Sequence, residues 1–226
     1  MRTSTIAIAS AIAATITATT AASAAITAAP FAGGDAGFNA LTNNGALEAA
    51  AAETRIGNAQ SEAGIWEVAI WEQGGGGTPE DQAGRAIANG VTVPFTLTYD
   101  GASTVTFTVD GAMTSWSGVA STFTDIFIRT RSVSNTSITL DNLLLDGTPI
   151  PTASSTGNSV DYLRIQNMGM PFGAFTLTGD QTLGWTGSRP NNSALAAQLK
   201  LSNVIPAPGA LALAGSAGLA TTRRRR

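Results

Sequence analysis

The chain has 226 residues, 43% hydrophobic and 12% charged, with neither cysteine nor histidine. That excludes a disulfide framework, a thiolate metal centre, a Ser-His-Asp triad and any histidine-ligated metal. The formal net charge is −3, but Arg2, Arg223, Arg224, Arg225 and Arg226 supply five of the twelve basic residues. Without them, seven basic residues face fifteen acidic ones, a net of −8. The remaining Lys and Arg are scattered. No basic stripe exists to displace phosphate counterions, so nucleic acid is not an expected partner, nor is an anionic membrane surface.

Residues 1–24 read as a secretory signal peptide. Arg2 precedes a run of Ala, Ile and Thr that carries no charge until Asp35, and Ala22-Ser23-Ala24 offers signal peptidase an A-x-A site. Residues 25–63 form an Ala/Gly-rich N-terminal segment. Within it, Gly45 to Arg55 has helical composition, with Asn43 or Asn44 as a cap.

From Ile65 the period changes to two. Trp66, Val68 and Ile70 share one face of a strand. Val91 to Tyr99 and Val105 to Val109 alternate apolar residues with Thr, as half-buried strands do. Asp100-Gly101 lies between them and predicts a hairpin over 93–109 with a type I′ turn. Pro94 predicts a late start or an edge position for its strand. Further strands are expected at 122–131, 136–145, 160–166, 172–178, 181–186 and 195–203. Turn signals separate them, among them Asp146-Gly147 and Gly179-Asp180. This pattern predicts an all-β, antiparallel two-sheet sandwich of jelly-roll-like type over 64–205.

The segment 206–226 has three parts: Pro206-Ala207-Pro208, fourteen uncharged residues from Gly209 to Thr222, and Arg223, Arg224, Arg225 and Arg226. Counted back to Val204, the uncharged stretch reaches nineteen residues, close to the ~20 that span a hydrocarbon core. The arginines would stay on the cytoplasmic side. This order resembles the PEP-CTERM sorting signal of bacterial surface proteins, with Ala207 where that family usually has Glu. The resemblance implies transient membrane insertion, processing by an exosortase-type enzyme and delivery to the cell surface or extracellular matrix. Three runs of the body, PFTLTYDGASTVTFTVDG at 94–111, FTDIFIRTRSVSNTSITLDNLLLDG at 123–147 and FTLTGDQTLGWTGSRPNNSALAAQLKL at 175–201, resemble choice-of-anchor domains, most nearly the W type. That family brings no catalytic residues with it.

Carboxylates are the only general acid–base material, and a glycoside hydrolase needs two of them about 5–10 Å apart. Glu67 and Glu72 differ by five positions on one strand, which places them on opposite faces. Asp125 and Asp161 flank apolar strands. Read this way, the acids serve turns and outer faces. Asp141, Asn142 and Asp146, with Glu80-Asp81 elsewhere, offer at most a weak Ca2+ site, because no D-x-D-x-D-G loop is present. No cofactor is expected. Gly74 to Gly77 lacks the following Lys of a phosphate loop, and two acids stand nearby. Asn135 and Asn191 begin glycosylation-like triplets and read as turn residues.

Arg129 and Arg131 lie two apart on a strand and share a face with Phe127, an arrangement suited to acidic sugars such as those of an exopolysaccharide. Trp66 and Trp185 have core phase. Trp71 and Trp116 lie near loops and are candidates for stacking on sugar rings. The expected function is therefore that of an exported, non-enzymatic surface or matrix β-sandwich. A carbohydrate-binding module is the first alternative and a carboxylate-dependent glycoside hydrolase the second.

Overall fold

A computed structural model of the protein describes residues 26–56, 65–72, 77–119, 122–168 and 170–204. The expected signal peptide and the sorting segment 206–226 lie outside the described residues, as do Gly74 to Gly76. The protein is an all-β sandwich of two antiparallel sheets, with one helix among the described residues. The first sheet has seven strands: β1 (Thr27–Phe31), β2 (Leu47–Arg55), β3 (Ile65–Trp71), β4 (Asp81–Ala86), β8 (Asp125–Arg131), β12 (Val160–Gln166) and β14 (Ala196–Asn203). Their order is β1-β12-β8-β14-β2-β3-β4. The second sheet holds β5 (Thr92–Tyr99), β6 (Val105–Val109), β7 (Ala112–Trp116), β9 (Thr136–Leu145), β10 (Thr148–Pro149) and β13 (Phe175–Trp185), in the order β10-β9-β13-β5-β6-β7. β11 (Ala153–Thr156) pairs with β9 off that path. The helix α1 (Gly34–Asn43) joins β1 to β2.

Alternating apolar residues of both sheets meet in one core, in which Trp66, Phe107, Leu97, Ile126 and Ile138 are fully buried. The indole of Trp66 donates to the Ile87 carbonyl at 3.0 Å, so its one polar group is satisfied there. Both flanks of the sandwich are closed. On one, the Asp81 carboxylate accepts the Ser115 N–H at 2.7 Å, and Arg85 pairs with Asp110 at 2.7 Å. On the other, Ser155 of β11 hydrogen-bonds the Thr130 hydroxyl of β8 at 2.7 Å.

Several expectations need correction. The segment 25–63 does not stand apart from the sandwich: it supplies β1, α1 and β2, and β2 runs between β14 and β3. Gly45 to Arg55 is therefore not a helix. Its alanines suit a helix in isolation, but Ala50 and Ala52 fill the core and Ala51 is equally buried on the opposite face. A position buried on both sides favours the strand over local propensity. The helix lies earlier, at Gly34–Asn43.

The 93–109 hairpin is present with a different turn. Tyr99 pairs with Val105, so five residues connect the strands. The Asp100 carboxylate accepts the N–H groups of Ala102, Ser103 and Thr104 at 2.8, 2.9 and 3.0 Å and organises that loop. Two-residue turns with both φ angles positive occur instead at Asp110-Gly111 (φ 45 and 85) and Asp146-Gly147 (φ 48 and 77). Pro94 lies in an interior strand, one residue beyond Phe95, which pairs with the last residue of β6.

Gly179-Asp180 is not a turn. β13 runs through it, and the register against β9 shifts between Thr178 and Asp180. A Cβ at Gly179 would sit 2.5 Å from Leu143 Cδ2 and 2.9 Å from Phe95 Cε1. The glycine marks close packing inside a bulged strand.

Candidate functional site

The outer face of the first sheet is where charge concentrates. Strand register aligns two rows across it. One runs Phe31–Tyr162–Arg129–Gln198–Glu53 and the other Arg164–Phe127–Lys200–Ala51–Trp71. The helix α1 lies over part of this face. Phe38 stacks on Tyr162 at 5.4 Å between ring centroids and meets Phe127 edge-on at 5.1 Å. This aromatic cluster is separate from the main core.

Asp35, in the first turn of α1, fastens the helix down. Its two oxygens accept Arg129 Nε at 2.7 Å and Arg129 Nη2 at 2.8 Å, and one of them also accepts the Tyr162 hydroxyl at 2.8 Å. The hydrogen bond from Arg129 holds the Asp35 carboxyl below its ordinary pKa, with Tyr162 adding to it against the effect of burial. Burial, followed by the contact with Asp35, pushes the Tyr162 hydroxyl upward.

Behind this clamp the network continues inward. Arg129 Nη1 donates to Gln198 Oε1 at 3.2 Å, and Gln198 Nε2 donates to Glu53 Oε2 at 2.7 Å. Glu53 is nearly inaccessible, and burial raises its pKa against the pull of Arg55 at 3.7 Å. Arg55 makes a two-point contact with Glu67 at 3.0 and 3.3 Å and lies 4.6 Å over the Trp71 ring. Lys200 Nζ bonds both oxygens of Glu48 at 3.0 and 3.1 Å, and both side chains are buried. Glu48 reaches this face because of a β-bulge: Leu201 pairs with Ala50 and Ser202 with Glu48, leaving Ala49 unpaired. Without the extra residue, Glu48 would point into the core.

Between α1 and the sheet lies an open cleft of about 540 Å³. Arg131, Arg55, Glu53, Gln198 and Ser193 line it, with Asn39 and Thr42 on the helix side. Among the described residues, Arg131 has no hydrogen-bond or ion-pair partner, and it is half-buried.

The structure thus places Arg129 and Arg131 on one face, at one cleft, with Phe127 on that same face. Arg129 is engaged by Asp35 from the helix rather than by an acid of a neighbouring strand. Trp71 is a correction: it is 1% exposed, beneath Arg55, and has no surface to offer a sugar ring. Trp116 is half-buried in the other sheet and packs against the main core, away from the cleft. Trp66 is wholly buried and Trp185 partly so, and their rings lie 6.3 Å apart.

The candidate acid pairs do not meet. Glu67 is buried against Arg55. Asp125 is paired with Arg164 at 2.7 Å on the outer face, while Asp161 bonds Ser155 of β11 at 3.1 Å. Asp146 accepts the Thr176 N–H at 2.8 Å, and Asn142 donates to Asp180 at 2.9 Å. Among the described residues, no group of three or more acidic side chains is gathered to hold a metal ion.

Sequence reasoning missed Asp35, Glu48, Glu53, Gln198 and Lys200. The period-two spacing Ala51-x-Glu53-x-Arg55 and Ala196-x-Gln198-x-Lys200 was the available signal. Comparison with protein-family models and with curated proteins gives no match for this chain.

Proposed function

We propose that this protein is an exported, non-catalytic β-sandwich of the cell surface or extracellular matrix, sorted through a PEP-CTERM-like tail and built on a choice-of-anchor-like body. The observation that carries this reading is the three-part order of residues 206–226: Pro206-Ala207-Pro208, an uncharged segment, and Arg223 to Arg226. The position of the motif supports it. β14 ends at Asn203, and Pro206 follows three residues later, so cleavage at the motif leaves all the described strands in place.

The non-catalytic part of the reading rests on the acids. Glu67, Asp125 and Glu48 are each held by a cation at 2.7 to 3.0 Å, as structural carboxylates are. The enzymes that act on the chain would be signal peptidase at Ala24 and an exosortase-type protease at the tail. The precursor would insert transiently through the segment after Pro208, with its arginines facing the cytoplasm.

Intact mass and location, measured in hosts with and without an exosortase, test this. Loss of both ends and appearance at the surface only in the exosortase host is the expected result. Retention of Arg223 to Arg226 in both hosts would overturn it.

A further inference from the structure

We propose that the cleft beneath α1 binds a single carboxylate on a hydroxylated ring, a sugar acid of the uronic type, and that Arg131 takes the carboxylate. Four basic side chains line the cleft: Arg55, Arg129, Arg131 and Lys200. Arg129 is occupied by Asp35, Lys200 by Glu48 and Arg55 by Glu67, all at 2.7 to 3.0 Å. Arg131 alone among these four has no partner among the described residues, although it is half-buried in the same cleft. A guanidinium taken partly out of water without an anion is an unfilled site for one. Its planar fork matches the two oxygens of a carboxylate.

The space beside it suits a ring. Ala196 is the strand partner of both Arg131 and Arg55. A single methyl group therefore stands between the two arginines on the cleft floor. The cleft volume of about 540 Å³ falls within the ~300–1,000 Å³ of small-molecule sites. Uncharged polar groups complete the lining: Asn39 and Thr42 from α1, Ser193 from the loop before β14 and Gln198 from the floor. These are partners for hydroxyl groups.

The same surroundings limit the ligand to one negative charge. Glu53 and Glu48 also line the cleft. The body of the chain is acidic, with a net of −8 once Arg2 and the terminal arginines are set aside. A densely charged polyanion would be repelled by that field. A lone carboxylate beside hydroxyls meets Arg131 and avoids the acids. This inference is independent of how the chain is sorted.

Calorimetric titration of the full chain at low ionic strength, with glucuronate, glucose and sulfate as probes, tests it. Glucuronate is expected to bind, and glucose and sulfate at least about tenfold more weakly, the scale of one charge-assisted hydrogen bond. Arg131→Gln is expected to weaken glucuronate binding by about tenfold or more. Its thermal unfolding midpoint should stay unchanged, because Arg131 holds no partner among the described residues. Arg131→Lys should retain part of the affinity. A glucuronate-bearing tetrasaccharide that binds more tightly than the monosaccharide would identify a polymer residue as the source, and equal affinity would identify the free acid. No glucuronate binding, equal affinity for sulfate, or an Arg131→Gln variant that binds like the wild type would each overturn the proposal.

Discussion

The two sheets share a core and treat their outer faces in opposite ways. On the second sheet the outer face is a field of threonines. Register aligns Thr178, Thr96 and Thr108 in one row and Thr176, Thr98 and Thr106 in the next. These side chains stand at the surface and bond locally, as Thr106 does to Ser115 at 3.1 Å. On the first sheet the outer face carries Arg129, Glu53, Lys200 and Glu48, all buried, with α1 laid over part of it. A hydroxyl facing water has partners whatever its neighbours do. A charge that loses water needs a specific partner, or its desolvation goes uncompensated. The first sheet should therefore be sensitive to single substitutions where the second is tolerant.

The largest effect is expected at Lys200. Replacing it with Met leaves Glu48 buried without a cation, a change that typically destabilises by about 3–5 kcal/mol. Replacing both residues with Met removes the charges together and should recover most of that loss. Urea unfolding of the two single variants and the double variant measures the coupling. If the double variant is as unstable as Lys200→Met, the pair is not what holds this layer, and the contrast between the faces rests on packing alone.

A smaller effect is expected at Asp35, whose side chain is 46% exposed. Asp35→Asn weakens the contacts to Arg129 and Tyr162. Solvent screening keeps the loss to about 1–2 kcal/mol. Because the folded pKa of Asp35 is lowered, its contribution is complete above the unfolded value near 3.8 and fades as the pH falls below it. Amide exchange in α1 should accelerate in acid before exchange in β5 or β13 does. Simultaneous acceleration in all three would mean that the helix does not undock on its own.

The same contrast explains what the sequence made legible. β5, β6 and β9 have one wet face, so apolar and Thr residues alternate, and their expected ranges lie close to the observed ones. β2 is buried on both faces. Its pattern LEAAAAETR has no alternation until Glu53, and local propensity then favours a helix. β4, DQAGRA, has no buried residue to reveal it. At the cleft, Arg129 and Arg131 were legible because one strand carries both. The partners of Arg129 are Asp35, 94 residues away, and Gln198, 69 residues away. Pairings of that range are decided by strand order, which no local pattern encodes. Trp71 was misread for a related reason: proximity to a loop does not report what Arg55 of another strand lays over it.

The smallest effects belong to the second sheet and its loops. Thr106→Ala should change stability by no more than about 0.5 kcal/mol, the usual range for an exposed position. A loss comparable to that of Asp35→Asn would undo the contrast. Asp100 sharpens it further. Its carboxylate is exposed, yet backbone N–H groups of Thr104, Ala102 and Ser103 bring its pKa down to about 2. Its contribution to the loop is therefore present above the unfolded value of 3.8 and is lost as the pH falls through about 2. Carbon-detected titration of the Asp100 carboxyl by NMR should give a midpoint near 2, with the amide signals of Ala102, Ser103 and Thr104 moving together. A midpoint near 3.8 would mean that the three N–H groups are satisfied by water, and that even this local charge on the wet sheet is held no more tightly than in an open chain.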